Sequence, residues 1–311
     1  MRPAPPVIVL FGPTAVGKSD LILSLFDGRF EVINADSMQV YRHMDIGTAK
    51  TSLEARGRIP YHLIDIIDPT GQFNAGLFVK AAEGLIPEVR SRGRVPVVCG
   101  GTAFYITSLL YGLPGAPPAD PDVRARMREL ERATGKKAMH EMLWRRDPIA
   151  AARIEPGDSH RILRALEIVE ATGRSMFSYP WPRALREDYR FLIVGLYRDR
   201  EDLYSRIDRR VEEMFAQGLI DEVKGLVRMG YGIGDPGMRG IGYREFFEMR
   251  RGCLTVEHVR ELVQRDSRRF AKRQLTFFRR VPETFWHHPE DSRAISSRLD
   301  GFLANHTAPP P

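Results

Sequence analysis

Cysteine is nearly absent from this chain: Cys99 and Cys253 are the two that occur in 311 residues. A disulfide framework and a cysteine-ligated zinc site are therefore not expected, and a reducing compartment is. No apolar run approaches the roughly 20 residues that a membrane span needs. The opening Met1-Arg2-Pro3-Ala4-Pro5-Pro6 leads straight into a short apolar run and lacks the pattern of a secretory signal. The sequence shows no internal repeat. A cytoplasmic, membrane-free monomer is the expectation. Acidic excess is also missing: 47 Lys and Arg against 40 Asp and Glu leave a net charge of +7 and a pI near 9.5. A basic balance favours a polyanionic partner, weakly at this size. At 43% hydrophobic residues the chain can build a proper core, as one large domain or two ordinary ones.

What is present begins at Gly12-Pro13-Thr14-Ala15-Val16-Gly17-Lys18-Ser19, a complete G-x-x-x-x-G-K-[ST] loop. It follows the apolar run Val7-Ile8-Val9-Leu10-Phe11 and precedes a helix-like stretch from Asp20 to Phe26. That strand–loop–helix context is what a phosphate loop requires. Its glycines let successive N–H groups point at one anion, and the helix start adds its positive dipole end. Lys18 supplies a full charge, and the Ser19 hydroxyl can hold magnesium. A di- or triphosphate group is the expected cargo.

Strand-like and helix-like stretches alternate through the first third. Phe30 to Ala35 and Val95 to Cys99 read as strands, with a helix from Phe78 to Arg90 between them. With a phosphate loop, this alternation predicts a parallel sheet covered by helices. The texture changes at the Pro-rich joint Leu113 to Pro121, after which Asp122 to Thr172 is almost entirely helical in pattern. A second joint, Tyr179-Pro180-Trp181-Pro182, closes that block. A strand is predicted at Phe191 to Leu196, more helix from Glu201 to Met229, and a glycine-rich loop from Gly230 to Gly242. The fold class read from this order is α/β, a phosphate-loop parallel sheet with an all-helical insertion. Residues 1–113 and 189–304 would form the core, 114–188 the insertion, and 305–311 a disordered tail.

On a helical wheel, Val259, Val263, Phe270, Phe277 and Val281 fall on one face, with Arg265, Arg268, Lys272 and Arg279 broadly opposite. Eight Lys or Arg stand from Arg260 to Arg280 against the two acids Glu261 and Asp266. Two readings stand side by side: a solvated helix face and a track for a nucleic-acid backbone.

Asp36 lies one residue beyond the second strand. Ligands of parallel sheets sit at the carboxyl ends of strands, so Asp36 is placed to act as a general base or an indirect magnesium ligand. A turn or helix-cap aspartate fits equally. Gly100-Gly101-Thr102 is a similar case: a tight turn, or a backbone nest with a hydroxyl on the same rim. The strand ahead of it ends Val98-Cys99-Gly100-Gly101, without the aspartate that supports magnesium in ATP-hydrolysing relatives of the loop. That argues against a motor ATPase and leaves a small-molecule kinase open.

Taken together, the motifs resemble the tRNA dimethylallyltransferase family, bacterial type. They are G-P-T-A-x-G-K-S at Gly12–Ser19, D-S-x-Q-x-Y at Asp36–Tyr41, M-D-I-G-T-A-K at Met44–Lys50 and H-x-x-D-x-x-D-P at His62–Pro69. G-G-T-x-x-Y follows at Gly100–Tyr105, A-D-P-x-V-R at Ala119–Arg124 and R-I-L-R-A-L-E at Arg161–Glu167. R-I-x-x-R at Arg206–Arg210, G-Y-R at Gly242–Arg244 and K-R-Q-L-T-F-F-R at Lys272–Arg279 complete the set. They run in order over nearly the whole chain.

The resemblance implies a prenyl transfer from dimethylallyl diphosphate to the exocyclic amine of an adenine beside the anticodon of tRNA. It implies Mg2+ as the cofactor and the tRNA anticodon stem-loop as the partner. It assigns Asp36 as base, Thr14 to the reacting groups and Arg210 to the leaving diphosphate. It places Ser37, Met38, Gln39 and Thr102 around a flipped base. It places Arg124, then His160, Arg161, Ile162, Leu163 and Arg164, on the RNA. The same holds for Met238, Arg239, Gly240, Ile241, Gly242 and Tyr243, and for Lys272, Arg273, Gln274, Leu275, Thr276, Phe277, Phe278 and Arg279. Phe277 departs from a common Trp, Thr51 departs from a common Pro, and the zinc-finger tail of some eukaryotic relatives is missing. A metabolite kinase and a non-catalytic RNA-binding module are the rival classes.

Overall fold

A computed structural model describes residues 4–249 and 255–304. Six strands form one sheet in the order β3-β2-β4-β1-β5-β6, and neighbouring strands run parallel throughout it. They are β1 (Pro6–Phe11), β2 (Phe30–Asn34), β3 (Tyr61–His62), β4 (Val95–Gly100), β5 (Arg190–Leu196) and β6 (Phe285–His287). Among the described residues the helices are α1 (Lys18–Leu25), α2 (Leu53–Arg58), α3 (Ala75–Ser91), α4 (Ala103–Tyr111), α5 (Pro121–Arg146) and α6 (Pro148–Ala151). After these come α7 (Ser159–Thr172), α8 (Arg200–Ala216), α9 (Leu219–Arg228), α10 (Arg244–Met249), α11 (Val256–Phe278) and α12 (Ser292–Ala304).

β1 is buried at all six positions, as a continuous apolar strand must be when both faces of a parallel sheet are covered. Its register sets the site. Phe11 stands opposite Gly100 of β4 and Gly195 of β5, so three strands end level and the phosphate loop starts beside the loop after β4. Ile8, Leu10, Val97, Val194 and Leu196 join Leu21 and Ile22 of α1 and Leu299 of α12 in one core. β3 and β6, of two and three residues, were not legible as strands; segments so short carry no usable alternation.

The chain divides into two compact units, one comprising the residues up to Leu110 with those from Arg186, the other Tyr111–Leu185. The second unit is helical. Asp120 caps α5 by accepting from Asp122 and Val123 N–H groups, with Pro121 in the first turn. The long helical pattern is not continuous: Gly135 takes φ 84° inside α5, and residues 152–158 separate α6 from α7. Met127, Leu143, Ile162, Leu163 and Leu166 make its core. The tail 305–311 and Cys253 lie outside the described residues. No helix among the described residues is long and apolar enough to cross a membrane.

Candidate active site

The loop between β1 and α1 wraps around its own lysine. Ala15 and Gly17 both take positive φ, 61° and 108°, and at Gly17 a side chain would be strained. Lys18 Nζ donates to the carbonyls of Gly12 (3.0 Å) and Pro13 (2.8 Å). Two arginines hold the next carbonyls from α8 and the turn before it. Arg206 Nε donates to Ala15 O (3.0 Å), and Arg198 Nε donates to Val16 O (2.9 Å). The loop is thus fixed by cations at four carbonyls. Arg206 had a place in the R-I-x-x-R motif but no assigned role; its spacing of four from Arg210 puts both on one helix face. Arg198 carried no sequence signal.

Lys18, Asp36 and Arg210 converge on one cleft of about 1030 Å3, together with Thr14, Ser19 and Thr102. Burial pulls the Lys18 ammonium down to about 8, against the pull of nearby Asp36, and the Arg210 charge lowers it further. Burial also lowers the Arg210 guanidinium, which Asp36 partly offsets. Cys99, on β4 behind them, is pushed up to about 11 by burial and so stays a neutral thiol. Two cations therefore face one carboxylate in a desolvated cleft, an arrangement that favours a polyanionic ligand.

Asp36 does what a turn aspartate does and retains an oxygen besides. Its Oδ1 accepts from the N–H groups of Met38 (2.8 Å) and Gln39 (3.3 Å). Among the described residues no hydrogen bond reaches Oδ2. Thr102 Oγ1 accepts from Ser37 N (2.9 Å) and lies 3.2 Å from Ser37 Oγ, joining the loops after β2 and β4 into one rim. Gln39 donates to the carbonyls of Thr48 and Ala49. The segment behind is anchored by Glu222, which accepts from three successive N–H groups, Asp45, Ile46 and Gly47, and from the Tyr243 hydroxyl. Glu222 has no local signal in the sequence, since its partners among these N–H groups lie more than 170 residues away. Lys50 of one motif meets Asp65 of another at 2.5 Å.

Several expected RNA contacts need correction. Ile162, Leu163, Met238, Tyr243 and Phe278 are buried core residues, because a contiguous helical or turn segment cannot turn every side chain outward. Phe278 stacks on Phe11 at 4.3 Å. Arg124 is bound through Nε and Nη2 to Glu167 (2.5 and 2.9 Å), and Arg164 bridges Glu167 and Pro117 O. Both guanidinium groups are thus engaged inside the helical unit, whereas His160 and Arg161 are exposed. Gln274 is buried, with only 5% exposed, and faces the phosphate loop.

The α11 stripe also differs from the wheel. Val259, Val263, Ala271, Gln274 and Phe278 are buried, and Phe270 and Phe277 stand 37% and 38% exposed. At 100° per residue Phe270 falls between Val259 and Val263, and Phe277 shares the angle of Val259; the buried face turns toward Ala271, Gln274 and Phe278 in the second half of the helix and leaves both phenylalanines partly exposed. Of the basic residues, Arg260, Arg265, Arg268 and Arg269 are ion-paired to acids. Lys272, Arg273, Arg279 and Arg280 are exposed and show no ion pair among the described residues. Arg239 lines the cleft, its guanidinium bound to the Ile233 and Gly234 carbonyls, and Gly240 and Ile241 line it beside.

Among the described residues no group of three or more His, Cys, Asp or Glu could hold a metal ion. Ser19, beside Lys18 on the cleft wall, suits Mg2+, which commonly takes one or two protein oxygens and otherwise phosphate and water.

Known proteins carry the same architecture. The curated "tRNA dimethylallyltransferase" of Syntrophobacter fumaroxidans is 45% identical over 298 residues, 94% of this chain and 86% of that protein. Its namesake from Geobacter sulfurreducens is 44% identical, covering 94% of each. The crystal structure of the full-length tRNA isopentenylpyrophosphate transferase from Bacillus halodurans is 37% identical and superposes with a TM-score of 0.69 over 96% of this chain and 97% of that one. A eukaryotic dimethylallyltransferase described as acting on tRNA gives 0.78 at 27% identity, over 97% and 80%. The family description "IPP transferase" matches residues 39–281, and with these likenesses across nearly its whole length the chain belongs to the IPP transferase family.

Proposed function

We propose that the chain is a tRNA dimethylallyltransferase. It moves the dimethylallyl group of dimethylallyl diphosphate to the exocyclic N6 amine of the adenine on the 3′ side of the anticodon, releasing diphosphate. The observation that carries this is the convergence of Lys18, Arg210 and Asp36 on one cleft at the carboxyl ends of the strands. A diphosphate leaving group gains charge as its bond to carbon breaks, and fixed cations stabilise that charge without reorganising. Lys18 and Arg210 supply it, and the Arg210–Thr14 contact aims the guanidinium at the loop. The adenine amine is a weak nucleophile because its lone pair is delocalised into the ring. Asp36 accepts its proton at the oxygen left over from the turn as the new bond forms. Bound Mg2+, held by the diphosphate with the Ser19 hydroxyl, would add further charge neutralisation.

A stacked base in an anticodon loop cannot reach such a cleft and has to leave the stack. Ser37, Met38, Gln39 and Thr102 form the rim that receives it. Arginines for phosphates with exposed aromatics for bases suit single-stranded RNA. Arg273 and Phe277 on α11 offer that pair, while Lys272, Thr276, Arg279 and the partly buried Leu275 accompany them on the same turns. His160 and Arg161 are the corresponding residues of the helical unit. A tRNA substrate and the compartment bias of a chain nearly free of cysteine fit a cytoplasmic enzyme.

The test is incubation of unmodified tRNA with labelled dimethylallyl diphosphate, followed by mass spectrometry of the released nucleosides. A parallel incubation with labelled ATP and nucleosides tests the kinase class. Prenyl-adenosine in the digest is the expected result. Label on a small acceptor from ATP, with none in tRNA, would overturn the proposal.

A further inference from the structure

Gln274 is a buried amide whose two ends are both committed. Its Oε1 accepts from Thr14 N at 2.9 Å, and its Nε2 donates to Gly101 O at 2.7 Å. Only one orientation of the amide satisfies both, because a backbone N–H must meet oxygen and a carbonyl must meet N–H. The fit is tight on the far side: a Cβ at residue 101 would lie 2.5 Å from Gln274 Nε2, so a side chain there would have to displace the amide. Beyond each partner stands a residue of the proposed chemistry. Thr14 Oγ1 accepts from Arg210 at 3.2 Å. Gly101 precedes Thr102, whose hydroxyl holds Ser37, the neighbour of Asp36. Four carbonyls of the phosphate loop are held by Lys18, Arg206 and Arg198, so Gln274 is the neutral group that fixes the loop from its amide side.

We propose that Gln274 is a positioning residue that sets the leaving-group side of the site, Thr14 with Arg210, against the acceptor side, Thr102 with Asp36. It acts through both and does so from α11, not as an RNA contact. This rests on the prenyl-transfer reading for its kinetic form. The requirement is for a group that accepts at one end and donates at the other. A protonated carboxylic acid has that pattern and nearly the same shape; a carboxylate does not, because it turns a second acceptor toward Gly101 O.

The experiment compares Gln274→Glu and Gln274→Met with the wild type from pH 5.5 to 9, following kcat, the KM for each substrate and the melting temperature. Lys18 on α1, Asp36 after β2, Arg210 on α8 and Arg273 on α11 line the same cleft and are present in all three proteins, so the ratio to wild type isolates the group at position 274. Gln274→Glu should recover as its acid protonates, its rate relative to wild type rising by up to about tenfold for each unit of falling pH. Gln274→Met should lose kcat at every pH by a constant factor of roughly 10 to 100, with the KM for tRNA little changed. A Gln274→Glu ratio flat across pH, or a loss confined to the KM for tRNA, would overturn the assignment. If the wild type transfers no prenyl group, the functional reading fails separately. The same ratio is then read from the affinity for inorganic diphosphate, where a flat pH profile again sinks the proposal.

Discussion

Arg210 Nη1 donates to the hydroxyl of Thr14 across 3.2 Å, tying α8 to the phosphate loop across 196 residues of sequence. The contact orients a guanidinium that burial has already made costly to charge. A side chain held this way contributes little to the fold and much to a developing anion.

Arg210→Ala should therefore slow transfer by roughly 2–4 kcal/mol in the transition state while the melting temperature stays close to wild type. Steady-state kinetics with a thermal melt checks both. A normal rate with a depressed melting temperature would make Arg210 a structural residue.

Asp36→Asn keeps an acceptor for the Met38 and Gln39 N–H groups, so the turn should survive. Turnover should fall by about two to four orders of magnitude, with tRNA affinity changed far less. Near wild-type turnover would remove Asp36 from the role of base.

Lys18 gives a pH dependence. Its value in the folded chain, about 8, lies below the 10.5 of a free lysine. The folded chain thus holds the proton less tightly than the unfolded chain, and stability rises as pH climbs from about 8 to 10.5. Diphosphate favours the charged form and raises the value in the complex. Binding should then take up a proton near pH 8, and affinity should fall by about tenfold per unit above it. Calorimetry in buffers of different ionisation heat reads the uptake. No proton uptake at pH 8 to 9 would mean that Lys18 is not the group engaged.

Glu31 predicts acid sensitivity away from the site. It is buried on β2 and bound by Arg92, His62 and Arg94, whose hydrogen bonds, that of Arg92 foremost, hold it down to about 2 against the cost of burial. Its folded value lies below the free value of 4.5. The stabilisation is complete above about pH 4.5 and is lost as pH falls toward 2. Glu31→Gln should cost about 2 kcal/mol at pH 7 and flatten the acid limb of a denaturation curve, with transfer activity retained. An unchanged acid limb would show that other carboxylates control it.

Arg186 N donates to Leu110 O at 2.9 Å, so the chain ends that flank the helical unit already meet. Replacing Tyr111–Leu185 by a short Gly-Ser linker should leave the sheet folded and diphosphate affinity intact. Affinity for tRNA should drop, and every phosphate the truncated chain no longer neutralises should lower the salt slope by about 0.7–0.9. With Arg124 and Arg164 held by Glu167, the arginine of Arg161–Glu167 and Ala119–Arg124 whose removal should register is Arg161, whose one ion pair, to Asp158 at 3.6 Å, is solvent-exposed. Unchanged tRNA affinity and slope, from titrations at two salt concentrations, would remove the helical unit from RNA binding.

The sequence by itself determined whatever depends on neighbouring residues. The apolar run ending at Phe11, the glycines of the loop and the helix-forming stretch after Ser19 fix local backbone, and they announce a phosphate site without reference to the rest of the chain. Asp36 was legible in the same way, as the residue just past a strand end. The tertiary structure decided what depends on partners far away in sequence. Glu222 is found only by the three N–H groups it collects, and Arg198 only by the carbonyl of Val16. On α11 the wheel put Phe277 inside, and the family resemblance put Gln274 among residues for RNA. The helix, packed through Val263, Ala271 and Phe278, turns Gln274 onto Thr14 and Gly101 and leaves Phe277 exposed. A periodicity fixes which residues share a helix face over a few turns, but the surface the helix meets decides which face is buried and which polar group finds a partner.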